Sequence, residues 1–499
     1  MHSRVKCAIV FPGSLSNCLS NLAIHTLYRL LSKEFFTDIF TSENPTGLRT
    51  GLKLQDFDYL FFSIDYEPNY LEVLKIITRA GIEPLAEKRT RPILIAGGAA
   101  VSSNPFPLFP FFDLLCIGEA EVIIPQIVEH FNNFNLELFN ERPWAIKEGK
   151  REAQRIFLHN LDFSQSFSAF YSPNSTFKMN LVEISRSCPS KCRFCLLSYN
   201  NLPPRWISIK RYEEMIHQFP ENSDIGLVGG SVLDHPQIRE ILNLSQKFRV
   251  INPSSIKIDV KIYDILETLK KKGLNSITIA PETGSETLRK RINKKISNVE
   301  IIEFIKAVEA LKFKNLKMYF IVGLPFETTE NIKETSLLIK QIREIFSGKI
   351  EVTFSIFVPK PHTPFQYQPF VTKKELTERL KYLKIPEDVR VHMGSYKGAL
   401  IQTIFSRAGD ELGYAMLASL LDNKDLLKLI EPEKILFDEE TAKTLPFNLI
   451  DSGVYPAFLE KELKKAEKEI LAPPCNTELC RACGICGNVQ DLRNSKKVE

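Results

Sequence analysis

Two spacings of apolar residues take turns along the first third of the chain. Lys6–Phe11 is a continuous apolar run after one lysine and predicts a buried strand, whereas Leu22–Leu31 has the three-to-four-residue recurrence of an amphipathic helix. The pair of patterns then repeats. Tyr59–Ile64 predicts a strand and the residues around Tyr70–Ala80 a helix. Pro92–Gly98 predicts a strand that ends in glycines, and Leu114–Gly118 a strand followed by a helix over Val122–Phe131. Strands alternating with helices predict a doubly wound, flavodoxin-like parallel sheet. Ligands of such sheets bind at the carboxyl ends of the strands. Ser63, Gly97, Gly98, Gly118 and Glu119 stand at those ends.

Residues 132–178 lose both periods and read as a linker with one or two short strands. From 179 the alternation resumes. Strands are expected near 180–185, 225–229, 276–280, 316–322 and 351–357, with helices at Glu286–Ile292 and Asn298–Lys312 among those between them. A run of βα units over this length predicts a full or partial barrel. After Pro364 the pattern becomes mostly helical, and from Pro473 the chain is short in apolar residues and rich in Cys and Gly. The expected division is an α/β domain over 1–131, a linker over 132–178, a (β/α) partial barrel over 179–370, a mostly helical region over 371–472 and a Cys-rich tail over 473–499.

Composition narrows the function classes. A chain of 499 residues with 44% hydrophobic and 25% charged residues is globular and long enough for several cores. A net charge of +5 is small for this size and does not indicate a nucleic-acid binder. The lysine runs at 270–272 and 461–468 are interspersed with glutamates and read as solvated helix faces. The first residues lack the apolar core of a secretory signal, and no stretch has the roughly 18 apolar residues of a membrane span. A cytoplasmic location is the expectation. Pro105–Phe112 is strongly apolar but broken by prolines, and is expected to pack against a neighbouring domain.

The ten cysteines do not resemble a disulfide framework. Cys7, Cys18 and Cys116 are scattered in apolar surroundings and read as small core residues. The other seven form two tight clusters, which points to metal. Cys188, Cys192 and Cys195 follow directly on a predicted strand. Three thiolates leave one iron of a [4Fe–4S] cluster free to bind a small molecule. The rival readings are a zinc site completed from elsewhere and plain buried cysteines. Cys475, Cys480, Cys483 and Cys486 form a second set, able to hold a complete [4Fe–4S] cluster or a zinc ion.

The spacing Cys-x3-Cys-x2-Cys, with Phe194 before the third cysteine, resembles the radical S-adenosylmethionine (SAM) superfamily. The resemblance implies that SAM chelates the open iron, and that one electron cleaves it to methionine and a 5′-deoxyadenosyl radical. Further segments match in order. Leu227–Ser231 looks like the glycine-rich segment whose backbone binds the methionyl ammonium, through Gly229 and Gly230; Ser231 stands where the family has an acid. Glu282, in Ile279–Glu286, is implied as a ribose or substrate contact and is a candidate catalytic residue. Phe320–Pro325 resembles the segment that packs on adenine, through Gly323 and Pro325. His362 reads as structural.

The first domain resembles the cobalamin-binding domains that precede such barrels, on Ser63, Gly97, Gly98, Gly118 and Glu119. It lacks their cobalt-ligating histidine motif, and His25 falls within a helix pattern. The subgroup resembled combines such a domain, the radical barrel and a Cys-rich tail. The cofactors so implied are a [4Fe–4S] cluster, SAM, a second [4Fe–4S] cluster or zinc, and cobalamin; the partner is a reductant such as ferredoxin or flavodoxin. With cobalamin, the expected reaction is methyl transfer to an unactivated carbon. Without it, radical rearrangement, C–C bond formation or sulfur insertion is expected. A rival of another class is a non-catalytic iron–sulfur or zinc protein that binds RNA or a partner.

Overall fold

The computed structural model describes residues 5–486, except 431, 438, 439, 441 and 442. The chain divides into two compact units, each assembled from two stretches of sequence: Met1–Leu181 with Ile401–Gly453, and Val182–Leu400 with Val454–Glu499. The stretch 371–472, expected as one helical region, is therefore shared between the units.

The first unit is built on a six-stranded sheet. Its strands are β1 (Lys6–Phe11), β2 (Phe36–Thr41), β3 (Tyr59–Ser63), β4 (Ile93–Gly97), β5 (Leu114–Cys116) and β6 (Ala145–Ile146), in the order β2-β1-β3-β4-β5-β6. The first five run parallel and β6 is antiparallel to β5. Cys7 to Phe11 are buried on both faces, as a parallel sheet covered by helices requires. The helix Leu22–Leu31 starts where the Asn21 side chain accepts the Ala23 N–H at 2.9 Å. It turns Ile24, Leu27 and Leu31 into a core with Ile9, Phe61, Ile95 and Ile124. Each such side chain, fully buried, stabilises the fold by about 1.5–3 kcal/mol.

Strand β2 is absent from the sequence expectation because Asp38 interrupts its apolar run. The Asp38 carboxylate is buried and accepts hydrogen bonds from Ile39 N, Arg49 N, Thr50 N and Thr50 Oγ1 at 2.6–3.1 Å, so it pins the following loop. The expected linker 132–178 is built into the unit. Trp144 is fully buried and its indole N–H donates to Gln126 Oε1, and β7 (Ala153–Gln154) pairs in parallel with Ile450–Asp451. The apolar Pro105–Phe112 segment is covered by the returning stretch of the same unit. Helix Asp410–Asp422 lies on it, with Gly413 so close that a Cβ there would stand 2.6 Å from Pro107 O. Asn104 Nδ2 donates to the carbonyls of Phe405 and Ala408, and the Tyr70 and Phe405 rings stack. Cys7, Cys18 and Cys116 are buried as expected, and burial pushes the Cys18 thiol up to about 12.

The second unit carries β8 (Asn180–Glu183), β9 (Ser185–Arg186), β10 (Arg205–Trp206), β11 (Asp224–Val228), β12 (Val250–Pro253), β13 (Ser276–Glu282), β14 (Asn315–Val322), β15 (Lys349–Ile356) and β16 (Arg390–Met393). A three-stranded sheet, β12-β11-β8, and a four-stranded sheet, β13-β14-β15-β16, form beside the two-stranded β10-β9, and Ile256 N donates to Thr278 O near the seam of the two larger sheets. Helices between the strands begin at capping boxes, Ser297 with Glu300 for Asn298–Ala310 and Thr328 with Asn331 for Thr329–Ile345. Parallel strands with helical crossovers give the partial barrel. Strands β10, β12 and β16 add to the five expected ones; the four residues of β12 end in proline and carry little pattern. Helix Pro456–Glu467 precedes the Cys-rich tail. Among the described residues no helix is long and apolar enough to cross a membrane.

Candidate functional site

The short antiparallel ladder of β9 and β10, Ser185 opposite Trp206 and Arg186 opposite Arg205, closes an excursion of the chain that carries Cys188, Cys192 and Cys195. Ser187 and Lys191 take positive φ values of 70° and 54°, which turn the backbone sharply on either side of Pro189. Cys195 N donates to Cys192 O, and helix Leu196–Asn200 starts immediately after the third cysteine. The three thiols interact electrostatically with one another, and burial pushes Cys192 up to about 12 and raises Cys195. Such thiols are held neutral until a metal takes the place of their protons.

Two residues that sequence reasoning passed over hold this loop in shape. Arg193 is wholly buried between Cys192 and Phe194. Its guanidinium donates to Glu462 Oε2 at 3.1 and 3.2 Å and to the carbonyls of Lys290, Arg291 and Ile470 at 2.8–3.0 Å. Asn293 Nδ2 donates to the carbonyls of Ser190 and Lys191, while its Oδ1 accepts Ala472 N–H. Phe194 packs with Leu288, Ile292, Leu324, Phe357 and Phe365.

The glycine-rich segment meets the base of the same loop. A Cβ on Gly229 would stand 2.1 Å from Ser185 Oγ, and one on Gly230 would stand 2.3 Å from Ser187 O, so only glycine permits this approach. Among the described residues Ser185 Oγ is buried without a hydrogen-bond partner, an orphan that a ligand's polar group would satisfy. Ser231 Oγ donates to Asp234 Oδ2 at 2.7 Å, and Asp234 pairs with Lys257, so a carboxylate does lie beside the segment, three positions later.

Glu282 ends β13 at φ 68° and forms an ion pair with Lys294 at 3.1 Å. Burial raises the Glu282 carboxyl, with Lys294 acting against it. Lys294 was not singled out from sequence, although it lies twelve positions from Glu282 beyond one short helix. Burial acts to lower its ammonium, but the Glu282 carboxylate, by its charge and its hydrogen bond, outweighs it and raises the ammonium. Gly323, at φ 76°, donates its N–H to Glu327 Oε2 at 2.8 Å, and Pro325 follows in the same turn. His362 is buried, and its backbone N–H is held by Gln366 Oε1.

The four tail cysteines influence one another electrostatically, Cys475 with Cys480, Cys483 and Cys486. Cys475 N donates to Pro189 O at 2.8 Å, which sets the tail directly against the first cysteine loop. Among the described residues no three His, Cys, Asp or Glu side chains converge on a single metal position, and this holds equally for the triad and for the tail set. Cysteines of a cubane each bind a different iron and have no need to converge.

In the first unit, Ser63 and Gly97 are register partners at the carboxyl edge of the sheet. Gly98 and Gly118 are occupied by the chain's own backbone: a Cβ would meet Ile64 O at 2.5 Å and Ile156 O at 2.2 Å respectively. Glu119 accepts Leu158 N–H at 2.9 Å. These three residues therefore serve packing of the segment 156–158 and of Ile64. His25 is buried with Nε2 at Leu19 O and Nδ1 at Ala169 N, so it offers no cobalt ligand.

Comparison with known proteins gives this architecture its class. The model of the radical SAM superfamily matches residues 182–339, and that of the N-terminal region of radical SAM proteins matches 39–151. An uncharacterized protein of Methanocaldococcus jannaschii is 32% identical over 422 residues, 81% of this chain and 88% of its own. The tRNA-2-methylthio-N(6)-dimethylallyladenosine synthase of Geobacillus thermodenitrificans is 24% identical over 64% of each chain. Among solved structures, the radical SAM methyltransferase TsrM of Kitasatospora setae superimposes with a TM-score of 0.51 at 12% identity, covering 73% of this chain and 75% of its own. The cobalamin-dependent radical SAM enzyme OxsB superimposes with 0.50 at 17% identity, covering 68% and 52%. The chain belongs to the radical SAM superfamily and is an enzyme of that class. Its family carries a [4Fe–4S] cluster and SAM and requires a reductant, and the three gathered thiols, the orphan Ser185 hydroxyl and the Glu282–Lys294 pair fit those groups.

Proposed function

We propose that Cys188, Cys192 and Cys195 hold the catalytic cluster and that the chain cleaves SAM reductively. The observation that carries this reading is the seating of Gly229 and Gly230 on Ser185 and on Ser187, the residue before Cys188. When bound, the cluster supplies the electron that breaks the C5′–S bond of SAM. The backbone at Gly229 and Gly230 receives the methionyl ammonium, and Ser185 Oγ is free to accept a hydrogen bond beside it. Lys294 offers a fixed positive charge for a carboxylate, and Glu282 offers an acceptor for hydroxyls. Gly323 and Pro325, in the turn held by the Gly323 N–H to Glu327 Oε2, are the residues offered to adenine. Anaerobically reconstituted protein is expected to yield 5′-deoxyadenosine from SAM, read by chromatography. Alanine at Cys188, Cys192 and Cys195 together abolishes it; cleavage by that variant overturns the assignment.

For the transformation that follows, we propose cobalamin-dependent methyl transfer to an unactivated carbon. Support comes from the fold shared with TsrM and OxsB and from Ser63 and Gly97 at the sheet's carboxyl edge. The second reading, sulfur insertion without cobalamin, is favoured by the tail cysteines and by the similarity to methylthio-transferring tRNA synthases. The absorbance spectrum after incubation with a corrinoid separates them: a stoichiometric bound corrinoid supports the first, and none supports the second. We assign the C-terminal four cysteines to a second [4Fe–4S] cluster.

A further inference from the structure

One face of the sheet β13-β14-β15-β16 stays open. Along β14 and β15 the residues alternate: Met318, Phe320, Val352 and Phe354 are buried, whereas Lys317, Tyr319, Thr353 and Ser355 are half-buried or exposed. Helical crossovers ring a barrel on its outside, so the second set faces the barrel interior. Register sorts this face into three rows. Thr278, Lys317, Glu351 and Arg390 are partners in the first, Tyr319, Thr353 and His392 in the second, and Ile321 and Ser355 in the third. Strand rise separates successive rows by about 7 Å. The third row abuts the candidate SAM residues: Glu282 is the register partner of Phe320, and Gly323 follows two positions after Ile321. The first row sets two cations against one carboxylate, and exposed Lys349 lies two positions before Glu351. Glu351 Oε1 accepts His392 Nε2–H at 2.5 Å, and Glu351 Oε2 lies 3.7 Å from Lys317 Nζ. The other carboxylates on the unit's strands are likewise taken, Glu282 by Lys294, Asp224 by Arg249 and Glu183 by Arg186. Arg390 is exposed, and among the described residues its guanidinium makes no hydrogen bond; it acts on Glu351 through charge. In the second row the Tyr319 and Thr353 hydroxyls make no hydrogen bond among the described residues, and Tyr319 is 43% exposed.

We propose that this face holds the substrate, and that the substrate is a small carboxylic acid lying along the strands. This rests on the reading that SAM is cleaved at the carboxyl ends of the same strands. The carboxylate sits in the Arg390 fork, which can give it two parallel N–H···O bonds, with the Lys317 charge beside it. A hydroxyl or amine about 7 Å away meets the Tyr319 and Thr353 hydroxyls. An aliphatic end about 13 Å from the carboxylate rests on Ile321 and points toward Gly323 and Glu282. A phosphate is a poorer match. It calls for several donors held together, whereas Arg390 is the one guanidinium on this face and the Lys317 ammonium is drawn to Glu351.

The test is a ligand-observed magnetic resonance titration of the full chain, reconstituted anaerobically with iron, sulfide and SAM. The probe is 6-hydroxyhexanoate, whose carboxylate and hydroxyl are about one row apart. It is expected to bind about tenfold tighter than hexane-1,6-diol, which lacks the charge, and tighter than hexanoate, which lacks the hydroxyl. Equal affinity of the diol overturns the carboxylate site, and equal affinity of hexanoate overturns the role of the second row. Tighter binding of 6-hydroxyhexyl phosphate overturns the choice of a carboxylic acid. No binding of the probe at about 10 mM overturns the pocket. Arg390→Gln is expected to bring the probe down to the affinity of the diol, whose own binding stays as it was; an unchanged probe affinity overturns the fork. Arg390 is exposed, so this variant is expected to keep the parent's thermal midpoint. Arg390→Lys keeps the charge without the fork and is expected to bind the probe with an affinity between the two. Formation of 5′-deoxyadenosine on reduction separates the pocket from the reading beneath it. A chain that cleaves SAM and binds no probe loses the pocket alone; one that binds the probe and yields no 5′-deoxyadenosine loses the SAM reading.

Discussion

Arg193 and Glu462 form an ion pair closed to solvent on both sides, across 269 positions of sequence. It fastens the cysteine loop to helix Pro456–Glu467, and Glu462 is shared with Lys465 at 2.6 Å. Removing one partner of a buried pair strands the other charge, which costs about 3–5 kcal/mol. Glu462→Ala is expected to lose about that much stability in urea titration. It is also expected to retain less iron after reconstitution, because the loop loses its anchor.

Gly229 and Gly230, the residues proposed to receive SAM, have no room for a side chain. Gly230→Ala forces a methyl group onto Ser187 O and is expected to cost about 1–3 kcal/mol. SAM binding, followed by calorimetry, is expected to fall more than stability does, since the displaced backbone is the one proposed to meet the ligand. An affinity equal to that of the unaltered protein counts against the role of this segment.

Lys294 faces Glu282 at 3.1 Å, beside the cysteine triad. Lys294→Met is expected to weaken SAM binding by about tenfold, or 1.4 kcal/mol, with iron content unchanged. Lys294→Arg is expected to restore part of it.

Glu327 gives the unit a pH dependence of defined sign. Burial pushes its carboxyl up to about 7 from 4.5, against the Gly323 N–H and Arg379, which favour the charged form. The folded state thus holds this proton more tightly than the unfolded state. Its contribution is present at low pH and is lost as pH rises from about 4.5 to about 7. Thermal midpoints of the protein and of Glu327→Gln, measured across that interval, are expected to diverge as pH rises, with the glutamine form gaining relative to the parent.

The sequence made the strands legible where apolar residues ran unbroken, as in β1, β3 and β4, and short spacing alone marked the two cysteine sets. Strand β2 was hidden by Asp38, whose role is to hold the loop up to Thr50 and which therefore breaks the pattern locally. Lys294, Arg193 and Asn293 were missed for a different reason. Each acts on groups that the chain brings near only after folding, and a lone Arg, Lys or Asn has no periodic signature. The clash distances at Gly98 and Gly118 could not be read from glycines alone, which look the same whether they face a ligand or a neighbouring backbone.

The covering of Phe106–Phe111 by helix Asp410–Asp422 bears on how the protein is made. The ribosome releases the phenylalanine-rich segment some 300 residues before the helix that shields it, an interval set by their positions in the chain. Throughout that interval the nascent N-terminal sheet carries an uncovered greasy surface. Such surface invites aggregation and chaperone capture. The same order of synthesis makes the first unit a poor choice for expression as a contiguous N-terminal fragment: cut after residue 181, it lacks its own lid.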